Sequence, residues 1–138
     1  VTVYSSEIVL QTKGEIELLD ISQLVRNIIR ESSITDGLVN IFHPGSTGAI
    51  ITMEYEPGLI KDTIELVKKL IPKGVGYQHD CHDDNAHSHL RASLFSPEIT
   101  IPLANNKLIL GTWQQIVFLE FDTRSRKRKI IITIVGDK

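Results

Sequence analysis

The last third of the chain narrows the fold more than any other stretch. From Glu98 it reads "EITIPL", "ANN", "KLILG", "TWQQIVFLEFD", a basic turn, then "KIIITIVG". Each apolar run has the length and composition of a strand, and the connections are short. A parallel partner would need a crossover of a dozen or more residues, so strands joined this tightly pair antiparallel. A chain that ends this way builds its core from sheets, with helices packed around them.

Upstream, "TVYSSEIVLQT" alternates enough for a strand, and "GEIELLDI" from Gly14 is expected to fold back on it as a hairpin. Ser22 is the expected N-cap of a helix with Leu24, Val25, Ile28 and Ile29 on one face. Asp36–Gly37 marks a turn before the strand "LVNIF", and "GAIITMEYE" is the next strand. The best helix is "PGLIKDTIELVKKLIP": Pro57 sits near its start, Pro72 ends it, and Leu59, Ile60, Ile64, Val67, Leu70 and Ile71 make a stripe. "NAHSHLRASLF" can form a short helix capped by Asp84 or Asn85. The sum is an α+β, β-rich fold over residues 1–138 as one domain. It has about eight strands in two packed, mostly antiparallel sheets, with two or three helices outside.

Composition bounds the function. A formal net charge of −2 argues against a broad nucleic-acid or anionic-membrane surface. Cys81 is the sole cysteine, so no intramolecular disulfide forms and no oxidising compartment is required. The apolar runs are too short to span a bilayer, and the N-terminus lacks a signal-peptide core. A cytoplasmic protein with no membrane partner is expected.

The chemistry concentrates in "YQHDCHDDNAHSHL", Tyr77 to Leu90, which holds four of the five histidines. Imidazole and carboxylate together suit zinc and related cations. If the segment from Asn85 is helical, His87 and His89 point about 200° apart and cannot share an ion. If it is extended, they face the same side. A hydrophilic loop enriched in histidine by chance remains the competing reading, with Asp80, Asp83 and Asp84 in its favour. Cys81 lacks an assignable partner for nucleophilic work and reads as a passive small residue.

Three other stretches carry candidates. "HPGSTGAI", from His43, offers small residues, hydroxyls and exposed N–H groups to an anion, or is simply a tight turn. "TRSRKRK", from Thr123, reads first as a solvated hairpin tip and second as a phosphate clamp through Arg124 or Arg126. In "TWQQIVFLEFD", alternation puts Glu120 on the face of Ile116 and Phe118, so its carboxylate is either at a strand end or buried and engaged.

These motifs, taken together, resemble the YjbQ-like family, an uncharacterised protein family. The matching residues are Tyr77, His79, Asp80, Asn85, His87, His89, Arg91, Ser93, Gly111, Thr112, Trp113, Gln114 and Glu120. Gly45 stands where many members carry a histidine, and His43 lies two positions earlier. The resemblance implies a β-rich α+β fold and a homotrimer, with the histidine segment near a subunit boundary. Some members carry a secondary thiamine-phosphate synthase label.

The resulting expectation is an enzyme with a His-rich, metal-assisted anion site. His79, Asp80, His89 and Glu120 would do acid–base work, and His79, His87 and His89 would hold a divalent metal, zinc or magnesium. Ser46, Thr47, Asn85, Arg91, Ser93, Thr112 and Gln114 would hold a small phosphorylated or otherwise anionic ligand. The alternatives are a non-enzymatic metabolite- or metal-binding protein and, weakest, nucleic-acid binding through "RSRKRK".

Overall fold

A computed structural model describes all 138 residues. The chain runs β1 (Thr2–Gln11), β2 (Glu17–Asp20), α1 (Ser22–Ser32), β3 (Asp36–Phe42), β4 (Gly48–Met53), α2 (Pro57–Leu70), a 3-10 turn (Gln78–Cys81), α3 (Ala86–Phe95), β5 (Glu98–Ala104), β6 (Lys107–Leu108), β7 (Gln115–Glu120) and β8 (Lys127–Asp137). The larger sheet has the order β1-β8-β3-β5-β6 and the smaller β2-β7-β4. Every pairing is antiparallel.

The alternation of each strand decides what lies between the layers. In β8, Ile130, Ile132 and Ile134 point inward, opposite Ile8 of β1 and Val39 and Ile41 of β3. Ile50, Ile116 and Phe118 of the smaller sheet meet them, and Val25, Ile28 and Ile29 of α1 complete this main core. The other face of the smaller sheet, through Leu18, Ala49, Val117 and Leu119, packs on Val67 of α2 and Ala92 of α3 in a second core. The smaller sheet is therefore covered on both sides, and Ile116 through Leu119 of β7 have no solvent exposure. That is why β7 reads as a continuous apolar run rather than an alternating one.

Several local expectations are corrected. "GEIELLDI" does not fold back on β1: β1 pairs with β8, and β2 joins the other sheet beside β7. The long, alternating β8 offers β1 a full-length partner, which a four-residue β2 cannot. Ser22 is not the N-cap. Its backbone N–H donates to Asp20 Oδ1 at 2.9 Å, and its Oγ accepts from Ile116 N–H at 2.8 Å, tying α1 to β7. Asp36–Gly37 is not a turn but the start of β3. Gly37 has φ +152° and faces Gly136 across the ladder; a Cβ on Gly37 would lie 2.1 Å from the Val135 carbonyl oxygen. This close approach requires glycine.

"KLILG" contributes only Lys107–Leu108 as strand, and "GAIITMEYE" stops at Met53. In α2, Pro57 stands in the first turn and Glu56 caps it, accepting from Gly58 and Leu59 N–H. Its stripe is only half used: Val67 is fully buried and Ile60 and Ile64 pack beside it, while Leu59 and Leu70 stay exposed. No helix is long and apolar enough to cross a membrane.

Candidate functional site

α3 delivers the histidines, and because it is helical it sends them to different places. His89 faces the 3-10 turn, where its ring lies 4.9 Å from that of His79. Together with Tyr77, Gln78, Ala86 and Leu90 the two rings line a shallow 360 Å³ pocket. Asp80, on the same turn, accepts from Ala86 N–H at 3.0 Å, so it satisfies the start of α3 as a cap would. Neither Asp84 nor Asn85 caps this helix through its side chain.

His87 is fully buried on the opposite side, with Nε2 2.5 Å from Glu15 Oε2. The proposed ligand set His79, His87 and His89 is thus not brought together, as the helical alternative required. No group of three His, Cys, Asp or Glu side chains converges to hold an ion. Within one chain these residues do not fit a shared metal, and no step is derived through one.

The Glu15–His87 contact opens onto a cleft of about 530 Å³ lined by Glu15, Ile16, Ile64, Lys68, Pro72, Lys73 and Arg91. Lys73 Nζ lies 3.2 Å from Glu15 Oε1, and Arg91 Nη1 lies 3.7 Å from Glu15 Oε2. Arg91 also donates through Nε and Nη2 to the Ile71 carbonyl, at 3.0 and 2.9 Å, which stitches α3 to the end of α2. Burial pushes the Glu15 carboxyl up, but hydrogen bonds and charge from His87 and Lys73 outweigh it and hold it below its ordinary value. His87 Nδ1 is buried without a partner. An ionised Glu15 carboxylate can only accept, so His87 Nε2 is the donor in this contact.

A second polar cluster sits between the sheets, beneath the basic turn. Glu120 is fully buried and every lone-pair direction is used. Thr12 Oγ1 donates to Oε1 at 2.6 Å, Arg128 Nε to the same oxygen at 2.7 Å, Asp122 N–H to Oε2 at 3.0 Å, and Arg128 Nη2 also to Oε2. Arg128 Nη2 reaches Thr47 Oγ1 at 2.8 Å, and Thr47 donates to Asp122 Oδ2 at 3.0 Å. Asp122 is further held by Arg126, by Thr123 N–H and by Asn85 Nδ2. Burial would raise the Asp122 pKa, but these donors bring it from 3.8 down to about 2.

Glu120 is consequently a structural anion with no access to a substrate proton, which corrects its expected role as base. The basic turn is likewise more than a solvated tip, since Arg126 and Arg128 are committed to these carboxylates. His43 belongs to the same cluster. Its Nδ1 donates to the Lys129 carbonyl at 2.9 Å, and its ring packs edge-on against Phe118. Burial lowers its pKa and outweighs the Lys129 bond, so it stays neutral. A Cβ at Gly45 would lie 2.4 Å from His43 Nε2, so the imidazole of His43 fills the space a side chain at position 45 would need.

The remaining expected anion ligands do not converge. Ser46, Ser93 and Thr112 are exposed, and Gln114 serves its own turn by accepting from Gly111 N–H and donating to Thr52 Oγ1. Of the expected set, Arg91 alone lines the large cleft, while Thr47 and Asn85 belong to the buried network. Sequence reasoning missed Glu15, Lys68 and Lys73, which sit in loops or on an exposed helical face with no motif around them. It also missed Asp122 as the hub, although Asp122 follows Glu120 at the same period-two spacing that placed Glu120 inward.

Comparison with known proteins gives a consistent answer. The family model described as "UPF0047 protein YjbQ-like" matches residues 6–137. A UPF0047 protein of Archaeoglobus fulgidus is 41% identical over 126 residues, covering 91% of this chain and 97% of the relative. One from Methanothermobacter thermautotrophicus is 38% identical over 134 residues, covering 97% and 93%. The crystal structure of a YbjQ-like protein of unknown function from Sulfolobus solfataricus superposes with a TM-score of 0.95 at 36% identity, covering 99% of each chain. A YjbQ/UPF0047 protein of Clostridium acetobutylicum gives 0.88 at 35% identity, covering 94% of this chain and 99% of its own. The chain belongs to the YjbQ-like UPF0047 family.

Proposed function

We propose that this protein binds a small phosphorylated anion in the cleft beside Glu15 and acts on it by acid–base chemistry. One observation carries the reading: a partly exposed carboxylate, held by a fully buried imidazole at 2.5 Å, stands on the wall of a cleft whose other charged lining groups are all cations. Lys73 and Arg91 would take the anionic oxygens, with Lys68 at the rim. Lys68 is the loosest of the three, since it is exposed and lies 3.8 Å from Glu65. Glu15 would exchange a proton with the bound ligand, and His87 would position Glu15.

The thiamine-phosphate synthase label of the family is the finer version of this proposal. There the thiazole nitrogen attacks the pyrimidine methylene carbon. The bond from that carbon to pyrophosphate oxygen breaks, and pyrophosphate leaves against the lysines and Arg91. The purified protein, given both halves, should then form thiamine phosphate, and Lys73→Gln should slow product formation more than tenfold. Saturable pyrophosphate shifts of the Glu15 and Lys73 amides that are lost at Glu15 in Lys73→Gln, with no product from either protein, would leave a non-enzymatic binding protein in place of the enzyme. No binding and no product would end the proposal for this cleft.

A second reading rests on the His79–His89 ring contact. Two imidazoles this close would serve as a partial site for zinc, with further donors from outside the chain; magnesium, which takes oxygen ligands, does not suit them. Elemental analysis beside His89→Ala tests it, and equal background metal in both proteins removes it. Association as a homotrimer, expected from the family resemblance, is part of the same proposal. The exposed Leu66 and Leu70 of α2 and the 70% exposed Trp113 supply apolar surface for it. Light scattering on the purified protein would report the mass.

A further inference from the structure

α1 and the β5–β6 hairpin enclose a second cleft, of about 410 Å³, lined by Arg26, Ile29, Arg30, Asn106, Lys107 and Leu108. It shares no residue with the cleft beside Glu15. Its three charged lining groups are all cations, and none of them forms an ion pair anywhere in the chain. Arg26 and Arg30 lie one turn apart on α1, where like charges repel and destabilise the helix. Lys107 adds a third positive charge from the opposite wall. A protein with a formal net charge of −2 thus concentrates positive charge over an apolar floor, Ile29, that is 5% exposed.

The hairpin that carries Lys107 is held in place, and Arg30 is steadied by donating through Nη2 to Asn27 Oδ1. Asn105 and Asn106 have φ of +50° and +67°, the paired left-handed residues of a tight hairpin. Asn106 N–H donates to the Thr35 carbonyl at 3.0 Å, and Asn105 N–H to Asp36 Oδ1 at 3.2 Å. These bonds anchor the hairpin, and Lys107 with it, to the segment that follows α1. Asp36 is the carboxylate on that segment, and it is already engaged by Asn105 N–H and Thr35 Oγ1. The helix dipole accounts for Arg30, which stands in the last turn of α1. It accounts for neither Arg26, a turn earlier, nor Lys107.

We propose that this cleft is a binding site for a small, multiply charged phosphate compound, independent of the site beside Glu15. Two guanidinium groups would grip phosphate oxygens in their planar fork geometry. Lys107 would close the charge from the other wall, and the Asn106 side-chain Nδ2 would donate at the rim.

Inorganic pyrophosphate is the probe, titrated at constant ionic strength into the 15N-labelled full chain and followed by the amides of Arg30, Asn106, Lys107 and Leu108. Saturable shifts are expected, with affinity about tenfold weaker in Arg26→Gln and in Lys107→Gln, the loss expected for one charge-assisted hydrogen bond. Lys73→Gln should leave these shifts intact. Both test substitutions are at exposed positions, and unchanged amide spectra elsewhere would confirm the fold. Shifts that rise linearly without saturation, equal affinity in the wild type and both variants, or loss of the shifts in Lys73→Gln would each overturn the proposal.

Discussion

Glu120 and Arg128 behave as one unit, because each neutralises the other out of reach of water. Truncating one member leaves an uncompensated buried charge. Arg128→Met should therefore cost about 3–5 kcal/mol in urea unfolding at pH 7, and adding Glu120→Leu should recover much of that loss. Asp122 adds a pH signature. Its folded pKa, about 2, lies below the unfolded 3.8, so its ionised form stabilises the fold at pH above about 4. That contribution, about 2.5 kcal/mol, is lost as pH falls from about 4 to about 2. Asp122→Asn should lower stability at pH 7 by a similar amount and flatten the pH dependence over that window, read by urea midpoints at several pH values. Alternation alone puts Glu120 on an inward face, so that half of the network is legible in the sequence. Arg128 as its partner is not, because the pairing depends on how β8 lies against the smaller sheet, and no local pattern in "TRSRKRK" encodes that.

α3 shows how one element can serve two compartments. A rotation of about 100° per residue sends His87 and Arg91 to the Glu15 side and His89 to the 3-10 turn. The chain pattern allowed a helix here and stated what helicity would mean for these histidines, but it did not decide between helix and strand. The deciding contact, Glu15, lies 72 residues away in sequence. Substitutions should separate the two sides. His87→Ala removes a fully buried ring and its bond to Glu15, so it should destabilise by about 2–4 kcal/mol. His89→Ala, half-exposed and without a hydrogen-bond partner, should stay within about 0.5 kcal/mol of wild type. Equal thermal shifts in the two variants would contradict this division of α3. The missed hairpin between β1 and β2 belongs to the same scale: Gly14 does break the strand, but strand length chose β8 as the partner.

The whole molecule is layered as large sheet, small sheet and the α2–α3 pair, with α1 closing one side of the first core. The class was readable because the strands are many and their connections too short for parallel crossovers. Yet of the C-terminal strands joined by short connections only β5 and β6 pair with each other, while β7 and β8 enter different sheets. The order of strands was not readable, since β1 and β8 meet across nearly the entire chain and turn chemistry says nothing about such distances. The outer face of the large sheet shows this limit again. Val3, Leu38 and Val135 lie side by side on it and remain exposed, although alternation alone would count each as a strand residue with an equal claim to the core.

The double coverage of β7 has a consequence in time as well as in space. Its central amides bond to neighbours on both sides, and both of its faces are sealed by other layers. No fluctuation of a single layer exposes them; the two cores must part together. In deuterated buffer, the amides of Val117 and Leu119 should be among the last in the chain to exchange, at a rate that tracks global unfolding. Exchange there as fast as in the edge strand β6 would mean that the layers separate one at a time.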